Sequence, residues 1–281
     1  MWDLENRGCP GDAKDKRLAP HTPASCYDED YFLSACEGHE RFGRLSTMDG
    51  MSPRLAAALQ QAHVRPGERI LDIGCGRGEV ALRSAQGGSV VHAVDYSGDA
   101  MRIAQRSLGE RGAELEGRVC FLRGDARHLP FEADRFDKLL MFDLVEHLYP
   151  WELTKSLREA WRVLVGGGQL IIHTAPNRWY YRYGYPVYRL FERLRGRHLP
   201  RNPRDRFPCH HLHVNEQDII RLRRLLRSVG FKSEVRLENI QPSLPGDAST
   251  ILRFLVRILL DVYPFRWIFR NDIFAIAHKQ E

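Results

Sequence analysis

The stretch RILDIGCGRGEV, Arg69 to Val80, sets three glycines at alternate positions directly behind a short apolar run. A glycine-rich turn leaving the end of a first strand is where open α/β sheets bind nucleotide-like ligands. Gly74, Gly76 and Gly78 allow backbone torsions that other residues resist, and let the chain pass close beneath a ligand. The bland alternative is an ordinary strand-to-helix turn, because a glycine motif alone is a weak signal.

The surrounding sequence repeats one pattern. Strands are expected over Arg69–Ile73, Val90–Asp95, Arg118–Leu122, Phe136–Phe142 and Gln169–His173, with helices over Glu79–Gln86, Asp99–Leu108 and Glu152–Leu164. Short β-rich runs alternating with helical ones imply a parallel sheet covered on both faces, an α/β fold. Upstream, Pro53–His63 reads as a helix with proline in its first turn. The first 26 residues, with Pro10, Pro20, Pro23 and many charges, read as a mobile tail before a single domain over 27–281.

Composition sets the bounds. A chain of 281 residues, 43% of them hydrophobic, is long enough for one large α/β domain with insertions. A formal charge of +6 permits an anionic partner without requiring one. The six cysteines are scattered with no C-x-x-C pair and no secretory leader is evident, so a reducing cytoplasm is expected. No apolar run approaches the roughly 18 residues of a spanning helix, leaving a soluble or surface-attached protein.

Two further acids reinforce the glycine turn. Asp95 closes the second strand about 20 residues after Gly74, where a carboxylate can accept hydrogen bonds from a ribose diol. Asp125, in GDARHLPF, follows the third strand and is placed to accept from an adenine amino group. A dinucleotide fingerprint would continue as G-x-G-x-x-G, but its last position falls on Glu79, a carboxylate where pyrophosphate would sit. That disfavours a nicotinamide-dependent dehydrogenase.

At these residues the chain resembles the class I S-adenosylmethionine-dependent methyltransferases. LDIGCGRG matches their first motif, GDARHLPF their adenine-side motif, FDKLLMFDLVEHL their fourth strand and the helix beyond, and LREAWRVLVGGGQLIIHTAPN their fifth-strand region. The resemblance runs from about Tyr27 to Lys279 and implies a Rossmann-like sheet of seven strands, the last antiparallel, with FKSEVRLENI as the sixth and NDIFAIAHK as the seventh. It implies S-adenosyl-L-methionine as cofactor. Gly74 and Gly76 would line its methionine side, with Asp72, Cys75 and Gly78 in the same turn. Asp95 and Tyr96 would hold the ribose, Asp125 and Ala126 the adenine, and Phe142 would lie beside the sulfonium.

DLVEHL carries the candidate chemistry. On a helix Asp143, Glu146 and His147 would share one face at i, i+3 and i+4. Two carboxylates and an imidazole suit a divalent cation such as Mg²⁺ or Zn²⁺, which would lower the pKa of a bound hydroxyl. The pattern looks like the E-x-x-E-H site of ubiquinone-type O-methyltransferases and small-RNA 2′-O-methyltransferases, with the shorter Asp143 in the first position. In the RNA enzymes a later histidine completes the site, and CHHLHVNE offers His210, His211 or His213. The other readings make His147 and His211 catalytic without metal, or Asp143 and Glu146 simple helix-start acids.

Two insertions are expected to set the acceptor. Residues 177–213 form a basic aromatic lid, whose arginines can clamp an anion and whose Trp179, Tyr180, Tyr181, Tyr183 and Tyr185 offer apolar walls. Residues 241–270 form an amphipathic segment, read as a core or dimer helix, as a peripheral membrane contact through 250–270 at the inner membrane face, or as a wall for a greasy substrate. Together they favour O-methylation of a small-molecule or lipid-linked acceptor. An RNA-modifying methyltransferase would need a broader basic surface. A cofactor-binding protein without methyl transfer keeps the same turn.

Overall fold

The computed structural model describes residues 21–42, 50–110, 115, 117–206, 210–240, 258 and 260–280. Seven strands form one sheet: β1 (Arg69–Ile73), β2 (Val90–Asp95), β3 (Val119–Arg123), β4 (Phe136–Phe142), β5 (Leu164–Thr174), β6 (Lys232–Glu238) and β7 (Asp272–His278), in the order β3-β2-β1-β4-β5-β7-β6. β1 to β5 pair in parallel, while β7 runs antiparallel to both β5 and β6. This is the expected Rossmann-like α/β architecture with its last strand reversed.

The helices that position the site are α1 (His39–Phe42), α2 (Pro53–Ala62), α3 (Glu79–Gln86), α4 (Gly98–Gly109), α5 (Pro150–Val163), α6 (Tyr185–Leu194) and α7 (Ile219–Val229). Their starts are written locally. Ser52 accepts from Leu55 N ahead of Pro53, Ser97 accepts from Ala100 N, and Asp218 accepts from Ile220 N and Arg221 N.

A strand covered on both faces reads as a continuous apolar run, and LLMF of β4 does so. Its alternate residues feed opposite layers. Leu139 and Met141 join Leu71, Ile73, Leu153 and Leu222 on one side of the sheet. Leu140 and Phe142 join Ile70, Ala58 and Leu82 on the other. Truncating a fully buried leucine such as Leu140 to alanine costs about 2–5 kcal/mol. Lys138 stays within this strand because its Nζ reaches Glu68 at 3.1 Å and the His63 carbonyl at 3.0 Å.

The mobile-tail expectation needs correction at its end. Residues 1–20 lie outside the described residues, but 21–26 are packed: Tyr96 Oη donates to the Thr22 carbonyl at 3.0 Å, and Ala24–Cys26 form a turn of 3₁₀ helix. The Tyr96 hydrogen bond and packing of Cys26 against α4, invisible to local composition, hold this segment. The helix expected to start at Glu152 begins at Pro150, and β5 starts at Leu164, straight out of α5. Of the 241–270 segment, 241–257 and 259 lie outside the described residues; in the described part the chain turns at 262–264 and Phe265–Phe269 form a separate short helix, so a helix does not run unbroken to 270. Among the described residues no helix is long and apolar enough to cross a membrane.

Candidate active site

A cavity of about 1510 Å³ opens over the C-terminal ends of β1, β2 and β4. Gly74, Gly76, Asp95, Asp125, Phe142 and His147 all line it, as do Asp72, Cys75, Tyr96, Ala126, Asp143 and Glu146. Sequence features far apart in the chain therefore meet in one crevice.

The glycine turn is shaped by the protein itself. Gly74, Gly76 and Gly78 all have left-handed φ, at 76°, 50° and 82°. Gly74 N donates to Val94 O at 2.7 Å, and Gly76 N donates to Asp95 Oδ2 at 3.0 Å. Gly78 does not face the cavity: a Cβ there would lie 2.7 Å from Phe121 Cζ, so its role is to seat α3 against β3. This departs from its expected place beside a ligand.

Asp95 receives one amide on each oxygen, from Gly76 N at 3.0 Å and Ser97 N at 2.9 Å. Each oxygen keeps a lone pair for another donor. Burial raises its carboxyl above the ordinary range against these hydrogen bonds. Asp72 Oδ2 is buried with no hydrogen-bond partner. Burial, with Asp95 nearby, pushes the Asp72 carboxyl up to about 7. A cation placed beside it would draw it back to the ionised form.

Asp125 is shared. Its carboxylate accepts from Arg127 Nε and Nη2 at 2.9 and 2.6 Å, which outweighs burial and holds it below the usual range. Arg127 also reaches Glu152 at 2.8 Å.

Glu79, which argued against pyrophosphate, has a partner of its own. Arg77 is 2% exposed and lies 2.9 Å from Glu79. The same guanidinium donates to the Phe32 carbonyl at 3.0 Å and the Glu37 carbonyl at 2.8 Å. It thereby pins residues 32–37 over the turn as a roof. Sequence reading missed Arg77 altogether, since these carbonyls lie 45 and 40 positions away.

DLVEHL is not a regular helix, and Asp143 does not join Glu146 and His147 on one face. Asp143 has φ of 50°, and only Val145–His147 form a turn of 3₁₀ helix. The Asp143 carboxylate turns to His173 Nδ1, 2.6 Å away, and the other ring nitrogen of His173 meets Asp272 at 3.3 Å. Burial opposes a charge on His173, but Asp143 and Asp272 overcome it and hold the imidazole up to about 9. Asp143 correspondingly sits well below the carboxylate range.

His213 takes the place expected of Asp143. Ligand atoms of Glu146, His147 and His213 lie within 4.8 Å of one another. The rings of His147 and His213 meet edge-on at 4.8 Å. Burial, with His213 adding, drives His147 down to about 3, and burial lowers His213 as well, so both are neutral at pH 7. Burial and then Asp143 raise Glu146 to about 7, while Thr174 Oγ1 donates to it at 2.6 Å. Tyr27 Oη stands 3.1 Å from His147 Nδ1. His211 is exposed and is not among the cavity-lining residues, so the structure puts His213 there in its stead.

The lid supplies the outer wall through Tyr180, Tyr181, Tyr185, Tyr188 and Phe191, with Arg206 among them.

A family described as a methyltransferase domain matches residues 70–168. A demethylmenaquinone methyltransferase from Clavibacter sepedonicus is 31% identical over 168 residues, 59% of this chain and 60% of that protein. A 27-O-demethylrifamycin SV methyltransferase from Amycolatopsis mediterranei (strain S699) is 32% identical over 43% of each chain. The matches span 36% to 60% of the length of the first three curated relatives. Among solved structures, Haemonchus contortus phosphoethanolamine N-methyltransferase 2 in complex with S-adenosyl-L-methionine shares the fold. Its TM-score is 0.58 at 18% identity, covering 90% of this chain and 60% of that one.

Proposed function

Because residues 70–168 form a methyltransferase domain of the class I, S-adenosylmethionine-dependent type, we propose that this chain methylates a hydroxyl of a small-molecule or lipid-linked acceptor. The observation that carries the reading is the cavity floor. Asp95 keeps free lone pairs on both oxygens, and Asp72, which carries an unpartnered buried oxygen, lines the same cavity. A ribose diol and an amino-acid ammonium match those two acceptors, and no phosphate is needed.

In this reading Asp95 holds the ribose, Asp72 the ammonium, Gly74 and Gly76 the methionine side, and Asp125 with Ala126 the adenine. S-adenosylmethionine supplies a methyl carbon already activated by positive sulfur. The chain therefore acts chiefly by positioning, an effect worth up to about 10⁵–10⁸ M in effective molarity. Roof residues 32–37 and the aromatic lid keep water out. The acceptor proton leaves toward the Glu146–His147–His213 cluster, where Glu146 has a proton affinity suited to neutral pH. One carboxylate and two neutral imidazoles also fit Zn²⁺ better than Mg²⁺. A cation held there would lower the pKa of a nearby hydroxyl.

The relatives named for demethylmenaquinone and 27-O-demethylrifamycin SV support a small-molecule acceptor. Among the described residues Cys36, Cys75 and Cys120 stand outside any disulfide, in keeping with a cytoplasmic enzyme. The test is incubation with S-adenosylmethionine and a panel of hydroxylated quinols, catechols and polyketides, read by mass spectrometry. The expected result is S-adenosylhomocysteine in step with a methyl ether; S-adenosylhomocysteine with methylated carbon or nitrogen would replace O-methylation.

A further inference from the structure

Lid helix α6 turns one face inward and leaves another uncovered. Tyr185 and Glu192 are buried on the inner side, and Tyr188 and Phe191 line the cavity. Across the helix, Tyr183, Val187, Leu190 and Leu194 are 49%, 51%, 59% and 80% exposed. Their spacing of i, i+4, i+7 and i+11 puts them in one row along the helical path through Tyr183 into α6. Scattered exposed hydrophobics need no explanation, but a continuous row does.

The row has a basic border. Arg182, Arg189 and Arg193 repeat at the same spacing one position earlier, about 100° round the helix. Among the described residues no carboxylate pairs with any of the three. Arg182 lies over the Tyr183 ring at 5.4 Å from its centroid. A row of apolar side chains bordered on one side by arginines that pair with no described carboxylate complements a surface that is apolar below and anionic above. Val187 both lines the cavity and is half exposed, so the row is continuous with the cavity mouth.

We propose that this face of α6 docks on an anionic lipid bilayer, with Leu190 and Leu194 entering the apolar layer and Arg182, Arg189 and Arg193 meeting headgroups. The amphipathic pattern of the sequence points to a membrane contact in 250–270, where the described residues expose Val262, Tyr263 and Phe265; the row on α6 is a separate surface. Docking there turns the cavity mouth toward the bilayer. That this delivers a lipid-linked acceptor rests on the methyltransferase reading, whereas docking itself does not.

The experiment is co-sedimentation of the full chain with phosphatidylcholine vesicles, with and without phosphatidylglycerol. The expected result is pelleting with the anionic vesicles that weakens as salt rises, and about five-fold weaker binding for each arginine neutralised in Arg189→Gln and Arg193→Gln. Leu190→Glu with Leu194→Glu should abolish pelleting without moving the thermal unfolding transition, because both side chains lie in solvent. No pelleting of the wild type, or equal pelleting of the glutamate variant, overturns the proposal. So does a dimer in sedimentation velocity that the glutamate variant dissociates while vesicles are ignored, which would make the face a contact between copies. None of these readouts uses methyl transfer, so the two readings fail separately.

Discussion

The Asp143 carboxylate lies 2.6 Å from Nδ1 of His173, the two side chains joining the ends of neighbouring strands β4 and β5 beneath the cavity. With Asp272 on the other ring nitrogen, this is an imidazolium held between two carboxylates in a fully buried position.

The pair fixes a pH window for stability. His173 is raised from 6.5 to about 9, so its contribution is complete below pH 6.5 and disappears as pH rises through about 9. Asp143 is lowered, so its contribution is present above its ordinary 3.8 and is lost as pH falls toward the folded value. Denaturant unfolding should show His173→Gln less stable by about 3–5 kcal/mol between those limits, with the gap closing above pH 9. A gap independent of pH would remove the charge from His173.

Asp72 predicts a second pH effect, on binding. Its carboxyl, raised to about 7, must ionise to hold an ammonium group, so S-adenosylhomocysteine affinity should climb as pH rises through 7 and then level off. Asp72→Asn should bind more weakly and lose that slope. A slope that survives in the asparagine variant would assign it to Glu146.

Arg77 is the roof pin. Replacing it with methionine leaves Glu79 buried without its partner and frees the Phe32 and Glu37 carbonyls. The expected cost is about 3–5 kcal/mol, much of it restored by adding Glu79→Gln. Thermal unfolding of the single and double variants reads this directly, and an additive double variant would deny the pairing.

The cluster of Glu146, His147 and His213 should bind one Zn²⁺, seen by calorimetry on chelator-treated protein. His213→Ala should abolish that binding, whereas His211→Ala should leave it unchanged. The reverse order would restore the site expected from CHHLHVNE, and no binding by either form would leave the cluster as a proton-accepting site alone.

Much of the fold was legible because it is local. The apolar run of β4, the proline-led helix from Pro53 and the left-handed glycines each follow from a few neighbouring residues. Asp143 was not legible: helical spacing in DLVEHL argued for one face, but the residue has positive φ and its carboxylate bonds to His173, 30 positions on. Nor did CHHLHVNE say which histidine points inward, because a loop has no periodicity to read. The roof was hidden for the same reason, since Arg77 reaches residues 45 and 40 positions back. The mixed text before Pro53 gives no sign of that contact.

The most direct measurement is calorimetric titration of the purified protein with S-adenosylhomocysteine, beside NAD and beside Asp95→Ala. The predicted result is saturable binding of S-adenosylhomocysteine, none of NAD, and a loss of about 1.5–3 kcal/mol in the variant. Folded protein that binds no S-adenosylhomocysteine, or binds NAD in its place, would contradict the assignment of the cavity.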